Sequence, residues 1–231
     1  MRFKRSPVEK LFYESHPNAP KNLLKPAVRT VPRWYSEIPR FVPGLDGPET
    51  KSVKHCIPFI DALTTGYMFL TPTDVYIEKT SDGQVARWGT EEKQIGERPL
   101  GQAGKMPAPA GYSEKHFYWV TQTAVEIPEG YSAILTHPLN RYDLPFITTS
   151  GVVDGQFFMH GGNFPFHVKE NFEGLIPQGT PFMQVIPFLR QDWLSAEKPG
   201  VWDAGNEPTR TQDYALGSWY RRRKWQKKTY R

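Results

Sequence analysis

The stretch of residues 127–188 constrains the fold more than any other part of this sequence, because short apolar runs alternate there with turn residues at nearly even intervals. The runs are rich in β-branched and aromatic residues and too short for helices, so each predicts a strand. The turn signals between them are PEGY, HPLNRYD, TSG, HGGN, ENFEG and IPQGTP. The segments IPEGYSAIL and IPQGTPFMQVIPF both place a Pro-x-Gly turn before a strand. The stretch therefore predicts a mainly β domain.

The composition favours the same class. The chain has 22 prolines and 19 glycines among 231 residues, which favours strands and turns because proline lacks an amide donor and clashes inside a helix. No apolar run reaches the roughly 18 residues that a membrane span needs, so we expect no membrane partner. The basic N-terminus has no apolar region behind it, which argues against a secretory signal. The single cysteine, Cys56, excludes an internal disulfide and fits a reducing compartment.

The chain divides into three predicted segments. Residues 1–55 form an extended, proline-rich arm whose large apolar side chains predict packing against the core or a neighbouring subunit. One helical turn is predicted in this arm, with Pro32 near its first position. Residues 56–202 form a single β-rich domain, in which residues 89–115 predict a long surface loop. Residues 203–231 form a C-terminal extension that ends in a basic, aromatic tail.

Local signals place several short elements in the domain. The segment FIDALTTG predicts a helical turn that ends at Gly66. The segments YMFL and DVYIEKT predict strands, and the turn SDGQ predicts a hairpin that returns through VARW. The run HFYWVTQTAVEI opens the β-rich half of the chain. After Phe188, the segment LRQDWLSAEKPGVWD predicts one more helical turn, and the terminal residues predict a short helix or an ordered extension.

Four blocks of the sequence resemble an uncharacterised family of bacterial and tailed-phage proteins that is known only as a domain of unknown function. The blocks are CIPFIDALTTGYMFLTPTDVYIE, IPEGYSAILTHPLN, LPFITTSGVVD and FPFHVKENFEGLIPQGTPFMQVIPF. This resemblance covers more than half of the chain. It implies a shared fold and a place in the virion or the host cytoplasm, and it supplies no established activity.

The segments GVVD and GTPFMQVIPF also resemble, more distantly, the β-clip fold of dUTPases and dCTP deaminases. This resemblance implies a single β-clip or sandwich-like domain with few short helices, and an acidic residue, here Asp154, at the turn that orients water or substrate. The sequence departs from the family pattern at the phosphate site. No arginine adjoins residues 148–150, the nearest before them is Arg141, and the glycine-rich phosphate lid is missing. A shared scaffold therefore implies no shared activity.

Asp154, His160 and His167 are the weak candidates for a catalytic site. Asp154 is also explained by turn chemistry, since aspartate is favoured beside a glycine such as Gly155. The two imidazoles, with Glu170 nearby, are ligand types that suit Fe(II), Zn or Mn. Their odd separation places them on opposite faces of a regular strand, however. We therefore predict no metal site and no cofactor.

The tail WYRRRKWQKKTYR, residues 219–231, holds seven Lys and Arg and no Asp or Glu, which leaves the rest of the chain close to neutral. Its cations would neutralise phosphates and its aromatic rings would stack on bases, or a helical stripe of both would fit an acidic protein groove. The alternative without a binding function is a solvated charged terminus. The predicted nucleic-acid or partner-binding residues are Arg221, Arg222, Arg223, Lys224, Trp225, Lys227 and Lys228.

These features together predict a non-enzymatic, phage-type structural, assembly or accessory binding protein, whose extended termini contact protein partners or further copies of the chain. Two alternatives stay open. A nucleotide-acting hydrolase on a dUTPase-like scaffold would gather Asp154, His160, His167 and Arg141 into one pocket. A nucleic-acid-binding protein would bind through residues 219–231, and its binding would weaken steeply with salt.

Overall fold

The computed structural model describes residues 9–45, 47–99, 102, 104, 106–154, 163–201 and 219–231. The chain divides into two units. The first, here called the β unit, combines Met1–Lys25 with Gly66–Arg190, and the second unit combines Pro26–Thr65 with Gln191–Arg231. The sequence predicts a different division, into an arm, a domain and an extension, and that division stays a prediction.

The strands of the described residues are short and are mostly joined by turns. In chain order they are β1 Phe12–Ser15, β2 Leu24–Pro26, β3 Phe41–Val42, β4 Thr50–Lys51, β5 Tyr67–Leu70, β6 Val75–Thr80, β7 Gly83–Trp88, β8 Ile95–Arg98, β9 His116–Val120, β10 Thr123–Glu126, β11 Tyr131–Thr136, β12 Phe146–Thr148, β13 Gly151–Asp154, β14 Asn163–Val168, β15 Gly174–Ile176 and β16 Pro181–Leu189. Their number confirms the mainly β class, whereas the finer β-clip assignment stays a prediction.

Antiparallel pairing organises the β unit. A five-stranded sheet has the order β13-β11-β16-β5-β2, a four-stranded sheet the order β12-β14-β9-β8, and a three-stranded sheet the order β15-β6-β7. β1 pairs with β10, so this part of the N-terminal arm packs on the β unit as predicted. The hairpin of β6 and β7 turns at Gly83, where the segment SDGQ predicts it.

The two Pro-x-Gly turns have the same construction. The amide of Tyr131 donates to the carbonyl of Pro128 at 3.1 Å, and the amide of Thr180 donates to the carbonyl of Pro177 at 3.1 Å. The third residue of each turn, Gly130 or Gly179, has φ of +81°, a backbone angle that residues other than glycine rarely adopt. The strands that follow, β11 and β16, pair with each other over six residues. The residues of the two turns thus determine where β11 and β16 begin.

Aromatic rings from two sheets meet in the core of the β unit. Trp119 stacks on Phe166 with ring centroids 4.1 Å apart, and its edge contacts Phe146 in the same four-stranded sheet. Phe182 of the five-stranded sheet lies 4.9 Å from Trp119, between centroids. All four side chains are buried. Because packed aromatic rings bury large apolar areas, this cluster joins the two sheets.

The second unit is built from short helices around a group of aromatic rings. The helices that the structure describes in full in this unit are α1 Arg33–Glu37, α2 Ile57–Thr64 and α3 Trp219–Arg223, with 3-10 turns at Ala27–Thr30 and Val53–His55. β3 pairs with β4. Tyr35 stacks on Phe59 at 5.9 Å, and Trp34 contacts both rings edge-on. The predicted helical turns at α1, after Pro32, and at α2, before Gly66, are confirmed.

Two sequence expectations are wrong in part. Residues 89–115 are not one long loop, because Ile95–Arg98 form β8, which pairs with β9 through Ile95, whose side chain is buried. Residues 190–198 form no helical turn, and their chain is irregular and exposed, whereas Val201 of the same predicted segment is helical and the two residues after it lie outside the described ranges. Pro199 and the lack of a buried apolar face explain this, since helices in proteins depend on packing. Among the residues that the structure describes, no helix is long and apolar enough to cross a membrane.

Candidate functional site

Asp154 ends the outermost strand of the five-stranded sheet. It lies directly opposite Ser132 of β11, and the Ser132 hydroxyl donates a hydrogen bond to the Asp154 carboxylate. Ser132 is buried, whereas Asp154 is exposed. A cross-strand hydrogen bond of this kind stabilises the strand pair. The contact gives the carboxylate a structural partner, and any catalytic role for Asp154 stays a prediction.

His167 is buried in β14. Its Nδ1 lies 2.9 Å from the carbonyl oxygen of Ser113, and its ring contacts the ring of His116 edge-on, with centroids 4.4 Å apart. Burial lowers the pKa of His116, and His167 and Arg98 lower that pKa further. Each of these effects disfavours protonation of His116. His160, the other predicted candidate, lies outside the described residues.

Sequence reasoning missed the histidine pair, although the sequence holds a signal for it. β9 begins His-Phe and β14 ends Phe-His-Val, and these strands run antiparallel with Phe117 opposite Phe166. The register therefore brings His116 beside His167 on the opposite face of the sheet from the two phenylalanines. Two strands with mirrored His-Phe and Phe-His steps are the pattern that would have predicted this contact.

Arg141 is held in a turn before β12. Its Nε and Nη2 each donate to one oxygen of the Asp143 carboxylate at 2.9 Å, and its carbonyl oxygen lies 3.1 Å from Nε2 of His137. The guanidinium is almost completely buried. Burial lowers the pKa of His137 despite the contact with the Arg141 carbonyl. This bidentate ion pair, with a buried guanidinium and an exposed carboxylate, orders the turn, because it gives the guanidinium a geometrically matched partner.

The structure does not bring the predicted catalytic candidates together. Each of the three described candidates contacts different residues. Asp154 contacts Ser132, His167 contacts Ser113 and His116, and Arg141 contacts Asp143 and His137. A depression of about 190 Å³ in the β unit is lined by Ser113, the partner of His167, but not by Asp154, His167 or Arg141 themselves. Its lining residues are Lys79, Thr80, Gly83, Gln84, Ser113 and Glu170. In the described ranges, no group of three or more His, Cys, Asp or Glu could hold a metal ion.

The cationic tail is partly docked on its own unit. The Trp225 indole Nε1 donates to Oδ2 of Asp61 at 2.9 Å, and the Lys228 ammonium donates to the same oxygen at 2.6 Å. Asp61 belongs to α2, and no local pattern in the sequence pairs that helix with the tail. Burial raises the pKa of the half-buried Tyr230 hydroxyl. Two of the seven predicted binding residues, Trp225 and Lys228, thus contact Asp61, although Lys228 remains exposed.

The other predicted tail residues take different positions. Arg221, Arg222, Lys224 and Lys227 are exposed. The side chain of Arg223 lies outside what the structure describes. The helix α3 confirms the predicted short terminal helix, and the residues after it are not helical. Whether these cations bind nucleic acid or protein stays a prediction.

A second surface was missed by the sequence reasoning. Residues 188–201 are all exposed, and beyond Leu189 they form no strand. Trp193 is 85% exposed and Leu194 is 94% exposed. The surrounding residues Asp192, Ser195 and Glu197 are polar, so the sequence predicts a surface segment but contains no sign that its two large apolar side chains stand in water.

Comparison with known proteins gives little further guidance. No family model and no curated protein matches the chain. A mutant dUTPase from phage phi11 of S. aureus matches at 16% identity and a TM-score of 0.26, over 47% of this chain and 99% of that chain. A mutant dUTPase of Staphylococcus bacteriophage 80alpha, solved with dUpNHpp, matches at 16% identity and a TM-score of 0.25, over 47% of this chain and 98% of that chain.

Both of these matches are dUTPases of staphylococcal phages. Their TM-scores are too low to carry an argument about the fold, substrate or site residues of this chain. The resemblance to the uncharacterised phage family, which no family model matches, stays a prediction.

Proposed function

We propose that this chain is a non-enzymatic, phage-type assembly protein of the virion or the host cytoplasm, which associates with further copies of itself through the segment of residues 188–201. The observation that carries the proposal is the exposure of Trp193 and Leu194 in that segment. Side chains of this size mark interaction sites when they stand exposed side by side. Tryptophan is also among the residues that contribute most to protein interfaces.

The segment has the properties of a docking strand. Arg190 still donates its amide to the carbonyl of Gly130, but beyond it the backbone forms neither helix nor strand as far as the turn at Lys198 to Val201. Nine residues in strand conformation span about 30 Å at roughly 3.3 Å per residue. Adjacent side chains of a strand point to opposite faces, so Trp193 and Leu194 would each contact a different face of a sheet to which the segment was added.

The β unit offers a sheet edge that fits such a strand. β13 is the outermost strand of the five-stranded sheet, and no described strand lies on its other side. Val152 is 67% exposed and stands opposite Ile134, which in turn stands opposite Ile186. These three side chains form an apolar row on one face of the sheet. An exposed strand edge beside an apolar row favours addition of a further strand.

We therefore place Trp193 of one copy on the row of Val152, Ile134 and Ile186 of a neighbouring copy. Leu194 would then lie on the other face, near Val153, which packs against the core. Donor segment and acceptor edge are on the same chain, so every copy can give one segment and receive one. Such head-to-tail contacts build closed rings or open arrays.

The experiment is light scattering for mass, measured over a wide range of concentrations. We expect the unchanged chain to form a defined oligomer. Burying a tryptophan contributes about 2–3 kcal/mol, so Trp193→Ser should weaken association by about 30- to 100-fold. Val152→Glu should weaken it as well, because it places a charge in the apolar row.

The matched control is Tyr142→Ser, which removes another highly exposed ring from the β unit outside the docking row. It should leave the mass unchanged. A chain that remains monomeric at every concentration would refute the proposal. So would an oligomer that Trp193→Ser and Tyr142→Ser weaken equally.

A further inference from the structure

The net charge of the chain is confined to its second unit. That unit has 14 Lys and Arg against 9 Asp and Glu, whereas the β unit has 15 of each, so the formal charge of +5 belongs to the second unit alone. Half of those 14 cations lie in residues 219–231, where no acidic residue occurs. A dense cluster of one sign attracts polyanions at long range.

Asp61 pairs with two residues of the tail, the partly buried Trp225 and the exposed Lys228. Its carboxylate accepts from Trp225 at 2.9 Å and from Lys228 at 2.6 Å, so it neutralises the Lys228 ammonium and fixes the indole. The side chain of Asp61 is mostly buried, which strengthens both charge-assisted contacts. The neighbouring Lys227 is exposed, as are Arg221 and Lys224 on the α3 side of Trp225.

We propose that the tail is a nucleic-acid-binding surface that contacts phosphates through exposed cations, Arg221 and Lys227 among them, with Trp225 holding it in place through its bond to Asp61. The proposal goes beyond the assembly function and does not depend on it. Lysine and arginine bind the phosphate backbone by displacing its condensed counterions, without reading a sequence.

The exposed set favours nucleic acid over an acidic protein. Protein interfaces draw most of their affinity from aromatic and arginine anchors in fitted pockets, and here Trp225 is bonded to Asp61 while Tyr230 is half buried in its own unit. Among the described side chains of the tail, the fully exposed ones are charged or polar, and they lie on a helical turn and on the non-helical chain after it. Phosphates recur at short, regular intervals along a strand, so they can meet cations in both local geometries.

The test compares two adjacent lysines. Binding of a fluorescent 20-base-pair DNA duplex of mixed sequence is followed by anisotropy at several salt concentrations, for the unchanged chain, Lys227→Gln and Lys228→Gln. Each phosphate contact contributes about 0.9 to the slope of log affinity against log salt. Lys227→Gln should lower the slope by about 0.9 and the affinity at 0.1 M salt by about 8-fold. Lys228→Gln should lower the slope by clearly less than Lys227→Gln, because Asp61 already pairs with the Lys228 ammonium.

Two controls separate this proposal from its competitors. The double change Lys21→Gln and Lys79→Gln removes two exposed cations from the β unit and should leave the slope unchanged. A polyglutamate peptide replaces the duplex in a parallel titration. All proteins in this test carry Trp193→Ser, so that self-association does not affect the binding of DNA. Whether the chain without this substitution self-associates is measured separately by light scattering.

Several results would overturn the proposal. Equal slope losses in Lys227→Gln and Lys228→Gln would mean a flexible charged tail without the Asp61 anchor. Binding to polyglutamate but not to the duplex would assign the surface to an acidic protein. No slope loss in Lys227→Gln, or a loss in the β-unit control as large as in the tail, would place the binding site elsewhere.

Discussion

Gly66 is the position where a single methyl group should destabilise the β unit most clearly. It precedes β5 and has φ of +72°. A Cβ placed there would lie 2.0 Å from the carbonyl oxygen of Val185, far inside the 3.0 Å that real Cβ contacts respect. Val185 is paired with Tyr67 in the centre of the five-stranded sheet. Gly66→Ala therefore cannot be accommodated by rotating a side chain and requires the backbone to shift.

The size of the effect follows from two contributions. A left-handed backbone costs alanine about 1–2 kcal/mol. Moving the Val185 carbonyl by about 1 Å disrupts one or two ladder hydrogen bonds, at about 1 kcal/mol each. The free energy of unfolding should fall by about 2–4 kcal/mol in total. Gly130→Ala is the matched control, because Gly130 has φ of +81° with no atom of the described residues within 4 Å of its Cβ position. Gly130→Ala should lower the free energy of unfolding by the first contribution alone, about 1–2 kcal/mol.

The assay is thermal and urea unfolding followed by circular dichroism. For a chain of this size, 1 kcal/mol lowers Tm by roughly 2–4 °C, so Gly66→Ala should lower it by about 10 °C and Gly130→Ala by about 4 °C. Equal losses in the two variants would refute the reasoning, because they would show that the close approach of Gly66 to Val185 does not exist in solution.

Two further predictions concern acid stability and the core. Burial lowers the pKa of His116 and of His137, so the unfolded chain takes up protons first as pH falls below about 6.5. Stability should therefore be highest above about pH 7 and decrease through about pH 6, and urea titrations of His116→Gln should show a smaller decrease. Phe166→Ala removes a completely buried ring that stacks on Trp119, and it should lower the free energy of unfolding by about 3–5 kcal/mol, whereas a loss under about 1 kcal/mol would contradict the packing.

Elements with local causes were predictable from the sequence. The two Pro-x-Gly turns, the hairpin turn at Gly83 and the helical turns after Pro32 and before Gly66 each depend on residues within one or two turns of chain. Proline and glycine restrict or extend the allowed φ at these positions, whatever the tertiary structure. For this reason the mainly β class and the positions of several strands could be predicted without knowledge of which strands pair.

The surfaces were less predictable because they depend on distant partners. Trp225 and Asp61 are 164 residues apart, and neither residue carries a local signal for the other. The tail therefore suggested seven equivalent contact residues, whereas the structure gives Trp225 and Lys228 a different role from Lys227. The exposure of a side chain is equally hard to predict from the sequence. Trp193 lies in a polar segment that a helix pattern also fits, and only the packed chain shows that its ring is exposed.

The assembly and nucleic-acid proposals together predict a dependence on DNA length. If copies associate through Trp193, one oligomer carries several tails, and a long duplex can contact more than one of them. Linked binding events of this kind raise apparent affinity by about 10²- to 10⁴-fold. Trp193→Ser should therefore weaken binding to a long duplex while leaving binding to a short duplex, which contacts one tail, unchanged. Equal weakening on both lengths would mean that Trp193 contacts DNA directly, and no weakening on either would mean that the tails of an oligomer do not reach the same molecule.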